Sequence, residues 1–334
     1  MIRTVASWCE IDGRMNNLEL HDFQPRLGSF RDEILKGLAQ AQKAIAPKFF
    51  YDKRGSELFD QICELEEYYP TRTEIHLLKT YSQEIADLIG QHGLLIEYGS
   101  GSSSKVRILL DAFHQPSGYM PIDISFEHML QASTELAENY PNLDVIAVCA
   151  DYTQDFQLPE YNKKLVNKKL IFFPGSTIGN LDPTEALHLL KQSISLLKTG
   201  DGMLIGVDLK KNPTILNAAY NDSRGVTAAF NLNLLERINH ELDANFALDS
   251  FRHWAFYNQD QSRIEMHLVS LKEQTVIIEQ TPFHFSEGET IHTENSYKYS
   301  IEEFQKLANR AGFDATHVWI DPNHLFSIHY LQVR

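Results

Sequence analysis

The spacing of apolar residues divides the chain into stretches of different rhythm. Residues 1–24 show no clear period and read as a tail, within which Met15 offers a second possible start. Over 30–45, Ile34, Leu35, Leu38, Ala41 and Ile45 share one face of a predicted helix. Ser56 is the expected N-cap of a second helix, with Leu58, Phe59, Ile62 and Leu65 on one side. An aromatic turn, Glu67-Tyr68-Tyr69-Pro70-Thr71-Arg72, then opens a long helix that ends near Gly90.

From Leu94 short apolar runs alternate with helical patterns, a rhythm that implies a mainly parallel sheet. Strands are predicted at 94–98, Gly118–Asp123, 145–150, 169–173 and Gly202–Asp208. Asp182, Pro183 and Glu185 form a capping box at the start of one intervening helix. After Lys211 the rhythm changes to helices at Pro213–Tyr220 and 225–242, period-two strands at 250–257, 262–271 and 274–279, and an extended piece at 290–299. Ser300 and Glu303 box a last helix that Gly312 stops, and strands Phe313–Ile320 and Phe326–Val333 meet at the turn Asp321-Pro322-Asn323. The simplest topology returns these two strands, antiparallel, to the main sheet. The fold class is therefore α/β: a Rossmann-like sheet, with a second α+β lobe built from the N-terminal helices and an insertion. The corresponding division is 73–210 with 299–334 for the sheet domain, 25–72 with 211–298 for the second lobe, and 1–24 for the tail.

Composition narrows the function. The 334 residues carry a formal net charge of −15, which argues against a nucleic-acid partner. The basic cluster Lys163, Lys164, Lys168 and Lys169 reads as a solvated face. No apolar run reaches the roughly 20 residues of a membrane helix, and no secretory leader is evident. Cys9, Cys63 and Cys149 are widely spaced, so a reduced, cytoplasmic setting without disulfides is expected. The 14 histidines show no recurring ligand spacing, and no metal is predicted.

Candidate chemistry collects at strand carboxyl ends, which form one rim in a doubly wound sheet. Glu97-Tyr98-Gly99-Ser100-Gly101 is a strand followed by a glycine turn. Asp123 lies about 20 residues further on, where an acid takes a ribose hydroxyl pair. Asp151 and Tyr152 offer an acceptor and an aromatic platform for an adenine, and the 175–180 loop ends the next strand. A dinucleotide fingerprint wants a third glycine where Ser104 stands, and Glu97 would repel a pyrophosphate. A sulfonium cofactor, S-adenosylmethionine (SAM), suits these residues better than NAD, and the final antiparallel strands also suit a SAM methyltransferase sheet.

These motifs carry a family resemblance. Phe50-Tyr51-Asp52 through Thr71-Arg72, Glu97 through Ser104, Pro121-Ile122-Asp123-Ile124-Ser125, Gly175-Ser176-Thr177-Ile178-Gly179-Asn180 and Thr293-Glu294-Asn295-Ser296 resemble the histidine-specific SAM-dependent methyltransferases, the L-histidine Nα-methyltransferases of ergothioneine biosynthesis. The resemblance runs from about Phe49 to the end. It implies a class I SAM methyltransferase sheet beside a substrate lobe, and successive methyl transfers to the α-amino nitrogen of histidine, giving hercynine (trimethylhistidine). It implies Gly99, Lys105, Asp123, Asp151 and Tyr152 as cofactor contacts, and Tyr68, Asn180, Tyr220, Glu294 and Ser296 as histidine contacts. Tyr51, Phe59, Gly175 and Met266 match positions around the reacting amine and the side-chain pocket, with Tyr51 the candidate for relaying the proton. Asn295 departs from the aliphatic residue often found there, on the opposite strand face from its neighbours.

The residues agree with that reading where they speak. Period two places Glu294 and Ser296 on one strand face, where both can bond one imidazole edge. Met266 alternates with Ile264 and Leu268 and by itself reads as core. Rival readings are the same chemistry on another aromatic amino acid such as a tryptophan derivative, an NAD-dependent oxidoreductase, and an inactive binding module. The expected partner is a small molecule, L-histidine, bound by a monomer with no nucleic acid and no membrane.

Overall fold

The apolar run Leu94-Leu95-Ile96 lies at the centre of the main sheet. The computed structural model describes residues 3–4, 17–23, 30–101 and 104–334. Along the chain, β1 (Arg3–Thr4) and β2 (Leu18–Asp22) precede α1 (Phe30–Leu38), β3 (Lys43–Ala44), α2 (Lys53–Cys63) and α3 (Tyr69–Ile89). The strand–helix alternation follows as β4 (Gly93–Tyr98), α4 (Ser104–Ala112), β5 (Gly118–Asp123), α5 (Phe126–Asn139), β6 (Asp144–Cys149), β7 (Lys168–Phe173), α6 (Pro183–Ser195) and β8 (Gly202–Asp208). Then come α7 (Pro213–Tyr220), α8 (Val226–Glu241), β9 (Phe251–Asn258), β10 (Arg263–Ser270), β11 (Gln274–Ile278), β12 (Thr281–Phe285) and β13 (Thr290–Tyr297). The chain closes with α9 (Ile301–Ala311), β14 (Phe313–Ile320) and β15 (Phe326–Val333).

Among the described residues the main sheet has the order β1-β2-β6-β5-β4-β7-β8-β15-β14. Every residue of β4 is buried, as a strand covered on both faces must be. Leu94, Ile96 and Tyr98 pack on the side of α6 and α9, while Leu95 packs on the side of α3 and α4. The strands from β6 to β8 are all parallel, and the order in which they are added reverses at β4, which lies between β5 and β7. That switch point opens a crevice at the carboxyl ends of the strands. β15 and β14 return antiparallel beside β8, as the sequence predicts.

A separate apolar core joins N-terminal helices to the insertion: Ile34, Phe50 and Ile62 meet Leu216, Phe230, Leu234 and Met266. Its sheet has the order β3-β13-β10-β9, and β11 and β12 form a hairpin beside it.

The structure corrects several sequence expectations. The tail assigned to 1–24 contains β2, which extends the main sheet by pairing parallel with β6 from Leu18↔Val145 to Asp22↔Cys149. A five-residue strand reading Leu-Glu-Leu-His-Asp is too short to show a period. Met15 and Cys9 lie outside the described residues. The helix expected over 30–45 ends at Leu38, because the chain folds back so closely that a Cβ on Gly37 would sit 2.1 Å from the Ala44 carbonyl oxygen. Residues 43–44 then pair with β13. The second helix is capped by Asp52, whose carboxylate accepts the Gly55 N–H at 2.7 Å, and not by Ser56. The strand β12 was not predicted. Lys163 and Lys164 are exposed, in keeping with a solvated face, and pair at the surface with Glu19 and Asp144.

Candidate active site

Where the carboxyl ends of β7 and β8 meet the second core, a cleft opens. Its aromatic wall comes from the N-terminal segments. Tyr51 follows the turn at Pro47–Phe50, its ring 5.5 Å from that of Phe59 on α2. Tyr68, just before α3, lies 6.1 Å from Tyr220 at the end of α7. Gly175 and Asn180, in the loop after β7, form the side nearest the main sheet.

Glu294 and Ser296 complete the opposite wall from β13. Their orientation depends on a bulge: Met266 pairs with Glu294 but His267 pairs with His292, leaving Thr293 unpaired in the ladder. The Thr293 hydroxyl holds the bulge by sharing its one hydrogen between the Asn231 side-chain oxygen at 2.8 Å and the Met266 carbonyl at 3.1 Å. One extra residue inverts the alternation that follows. Ile291 and Glu294 therefore both point to the inner face, and Ser296 joins them. Met266 lies in an adjoining cavity that it shares with Phe59, Tyr68, Tyr220, Phe230 and Glu294.

The cleft thus brings together Tyr51, Phe59, Tyr68, Gly175, Asn180, Tyr220, Glu294 and Ser296, with Met266 next door. Of the other predicted residues, Gly99, Asp123, Asp151 and Tyr152 lie at strand ends along the rim, and Lys105 reaches the edge of the cleft beside Gly175. Gly99 follows β4 with φ +72°, a conformation that favours glycine. Asp123 ends β5 and accepts the Ser125 N–H at 2.8 Å. Asp151 follows β6 and accepts both the N–H and the hydroxyl of Thr153, at 2.9 and 2.6 Å. Tyr152 stacks on Tyr98 at 5.1 Å with planes 4° apart, so one of its faces is covered by protein. Lys105, in the first turn of α4, pairs with Glu74 at 2.6 Å.

Glu97 differs from the sequence expectation of a free anion. Strand alternation turns it away from Tyr98's side to accept the Tyr119 phenol, and burial pushes its pKa up to about 8. At neutral pH it is mostly a neutral acid.

Sequence reasoning missed the charged floor of the cleft. Asp208, at the end of β8, is 2.7 Å from Lys298 and 2.5 Å from Lys211, and it accepts the Tyr69 phenol at 2.8 Å. Burial pushes Asp208 up, but the two lysines outweigh it and hold the carboxyl below its usual range. Burial lowers Lys211 to about 8. Lys298 is itself depressed by burial, yet Asp208 and Tyr220 more than restore its charge. Asp208 repeats the strand-end acid pattern of Asp123, and Lys298 is two residues beyond Ser296 on the same face; both signals were present in the sequence. Burial also raises Glu294, to about 7, against the pull of Lys298. Tyr51, though 40% exposed as a residue, has its phenol pushed well above the usual range by desolvation, then by Glu294.

On the outer face of the same sheet, Glu265, His267 and His292 place ligand atoms within 4.8 Å of one another, in a chain for which no metal was predicted. The two imidazoles stack 4.7 Å apart with planes 14° apart, and Arg263 and Asn258 hold Glu265. Stacked rings cannot aim both lone pairs at one ion.

Residues 30–333 match the family model described as histidine-specific methyltransferase, SAM-dependent. The chain belongs to that family. Its similarity to the histidine N-alpha-methyltransferase of Mycolicibacterium smegmatis is 40% identity, over 88% of this chain and 92% of that one. The enzyme of the same name from Mycobacterium tuberculosis is 36% identical over 88% and 91%. Ergothioneine biosynthesis protein 1 of Neurospora crassa is 30% identical over 84% of this chain and 32% of that protein. The protein is accordingly a SAM-dependent methyltransferase acting on a small molecule. Among the described residues no helix is long and apolar enough to cross a membrane.

Proposed function

We propose that this enzyme transfers methyl groups from SAM to the α-amino nitrogen of L-histidine, in succession, to give Nα,Nα,Nα-trimethylhistidine (hercynine). Family membership and the relatives named for this reaction support it. The observation that carries it is the bulge-set pair Glu294 and Ser296, an acid and a hydroxyl side by side in a cleft otherwise walled by aromatic rings. Imidazole presents one N–H and one bare nitrogen, which such a pair can meet. An indole has one donor and leaves the hydroxyl unmatched. Tyr68 reaches the ring from the N-terminal side, and Phe59 and Met266 shape its pocket. Asn180 supplies a neutral donor for the carboxylate of the amino acid, and Tyr220 lines the same cleft with its phenol hydrogen given to Ser296. The chain is read as a cytoplasmic monomer with no nucleic-acid or membrane partner, in keeping with its net charge of −15.

The rim residues fit the cofactor. Gly99 takes a positive φ at the strand end, allowing close backbone approach. Asp123 would accept from the ribose and Asp151 from the adenine, with Tyr152 beside the base. Lys105 lies at the junction between rim and cleft. When bound, SAM supplies a methyl group on an electron-poor sulfur. The protein's part is to hold a deprotonated amine in line with the bond that breaks, and orientation of that kind is worth roughly 7–11 kcal/mol of barrier. Tyr51 and Phe59 would keep the amine in place as it gains methyl groups. Tyr51 keeps its own proton, so it would pass a proton along through its oxygen and not act as a phenolate base.

Mass spectrometry of a reaction with limiting histidine and excess SAM tests the proposal, with trimethylhistidine expected as the end product. Glu294→Ala should lose most histidine turnover while binding SAM normally. An end product of monomethylhistidine, or faster turnover of tryptophan than of histidine, would overturn it.

A further inference from the structure

Ser296 Oγ lies 2.7 Å from the ammonium of Lys298 and 2.9 Å from the phenol oxygen of Tyr220, and both groups donate to it. An ammonium has only donors, and a serine hydroxyl has two acceptor sites and one hydrogen. With both acceptor sites filled, the hydroxyl hydrogen is the bonding element that remains, and Ser296 lines the cleft. Lys298 is locked in place: it is 2% exposed and 2.7 Å from the Asp208 carboxylate. Two residues earlier on the same strand face, the carboxyl of Glu294 lines the cleft and takes no hydrogen bond from the described residues, its backbone carbonyl alone meeting His292. A carboxyl in either protonation state keeps an oxygen that accepts.

We propose that Lys298 is a positioning residue for substrate selection: it fixes Ser296 as a hydrogen-bond donor, so that beside the acceptor Glu294 the pair matches the bare nitrogen and the N–H of a neutral imidazole. The proposal rests on the reading of Glu294 and Ser296 as partners of the ring. It assigns each its direction: Ser296 gives to one nitrogen, and Glu294 receives from the other. A ring lacking the bare nitrogen would leave a buried hydroxyl hydrogen with nothing to bond. Lys298 prevents that hydroxyl from turning away to relieve the mismatch.

The pyrrole analogue of histidine, which keeps an N–H and replaces the bare nitrogen by C–H, tests this. Wild-type enzyme should favour histidine in kcat/KM by about tenfold or more. In Lys298→Met the freed hydroxyl can turn toward Tyr220, and the preference should shrink at least fivefold, to within about twofold of parity, with SAM affinity by calorimetry unchanged. Lys298→Arg, which restores a donor, should recover the preference. Lys298→Met leaves Asp208 paired with Lys211 at 2.5 Å. If it folds poorly, Lys298→Met with Asp208→Asn removes both charges and carries the same ratio. A fall in both substrates together, with the ratio at its wild-type value in whichever variant folds, overturns the proposal. So does a wild-type enzyme that does not distinguish the two substrates. Ser296→Ala separates the underlying reading: a loss of preference there with none in the Lys298 variants sinks Lys298 alone, whereas an unchanged ratio in Ser296→Ala means that the imidazole lies elsewhere.

Discussion

The carboxylate of Glu74, in the second turn of α3, accepts the backbone N–H of Gly175 at 2.9 Å and a hydrogen bond from the ammonium of Lys105 at 2.6 Å. One fully buried side chain thus ties the N-terminal segment to the loop after β7 and to the first turn of α4. It crosses the sheet so closely that a Cβ on Gly206 would lie 2.1 Å from its oxygen. The loop it holds carries Gly175 and Asn180 to the cleft.

Removing that carboxylate leaves the Gly175 N–H unpaired and Lys105 without its counter-ion. Glu74→Ala should lower stability by about 1–3 kcal/mol, read as an earlier urea midpoint. It should also raise KM for histidine through the displaced loop. A variant that unfolds at the wild-type midpoint would show that Glu74 only fills space.

Asp123 stands at the end of β5, next to the switch point, where it accepts the Ser125 N–H. Asp123→Ala should weaken SAM binding by about 1–3 kcal/mol in calorimetry. Asp123→Asn, which still accepts the Ser125 N–H, separates ribose binding from capping of the turn. Wild-type SAM affinity in both variants would remove Asp123 from the cofactor site.

Much of this arrangement was legible in the sequence because it follows local rules. The strand-end position of Asp123, the capping boxes at Asp182 and Ser300, and the shared face of Glu294 and Ser296 depend on neighbours a few residues away. What escaped depends on distant partners. Glu74 sits within an ordinary helical pattern, and its meaning comes from Gly175 and Lys105, far away in sequence. Lys298 was within reach, two residues beyond Ser296, but its burial depends on Asp208. The bulge at Thr293 was invisible because register belongs to the pair β10 and β13, not to either strand. Glu97 was misjudged because its complete burial, set by the layers packed on both faces of the sheet, raises its pKa more than the Tyr119 hydrogen bond lowers it.

Tyr51 keeps its proton through the neutral range, because desolvation and then Glu294 oppose the phenolate. A pH–rate profile should therefore contain no ascending limb from this residue. Tyr51→Phe should lower kcat by about tenfold to a hundredfold, with the apparent pKa of the ascending limb unmoved. A limb that disappears in Tyr51→Phe would make the phenol the titrating base after all.

Glu294 makes the sharpest connection between stability and selection. Burial raises its folded pKa to about 7, from 4.5 when exposed. Between those values the folded protein binds the extra proton, so stability falls as pH rises through this window. The cost is absent below pH 4.5 and complete above pH 7, where it reaches about 3 kcal/mol. Glu294→Gln, neutral at every pH, should therefore raise the melting temperature of the ligand-free protein at pH 8 and leave it nearly unchanged at pH 4.5. The same variant should bind histidine less well, because an amide accepts more weakly than a carboxylate and can turn a donor toward the ring. Stability gained and selection lost in one substitution would show that Glu294 is kept for the substrate and not for the fold. Equal melting curves for the two proteins at pH 8 would mean that Glu294 is solvated in the free enzyme, and the cleft would then be open to water before histidine arrives.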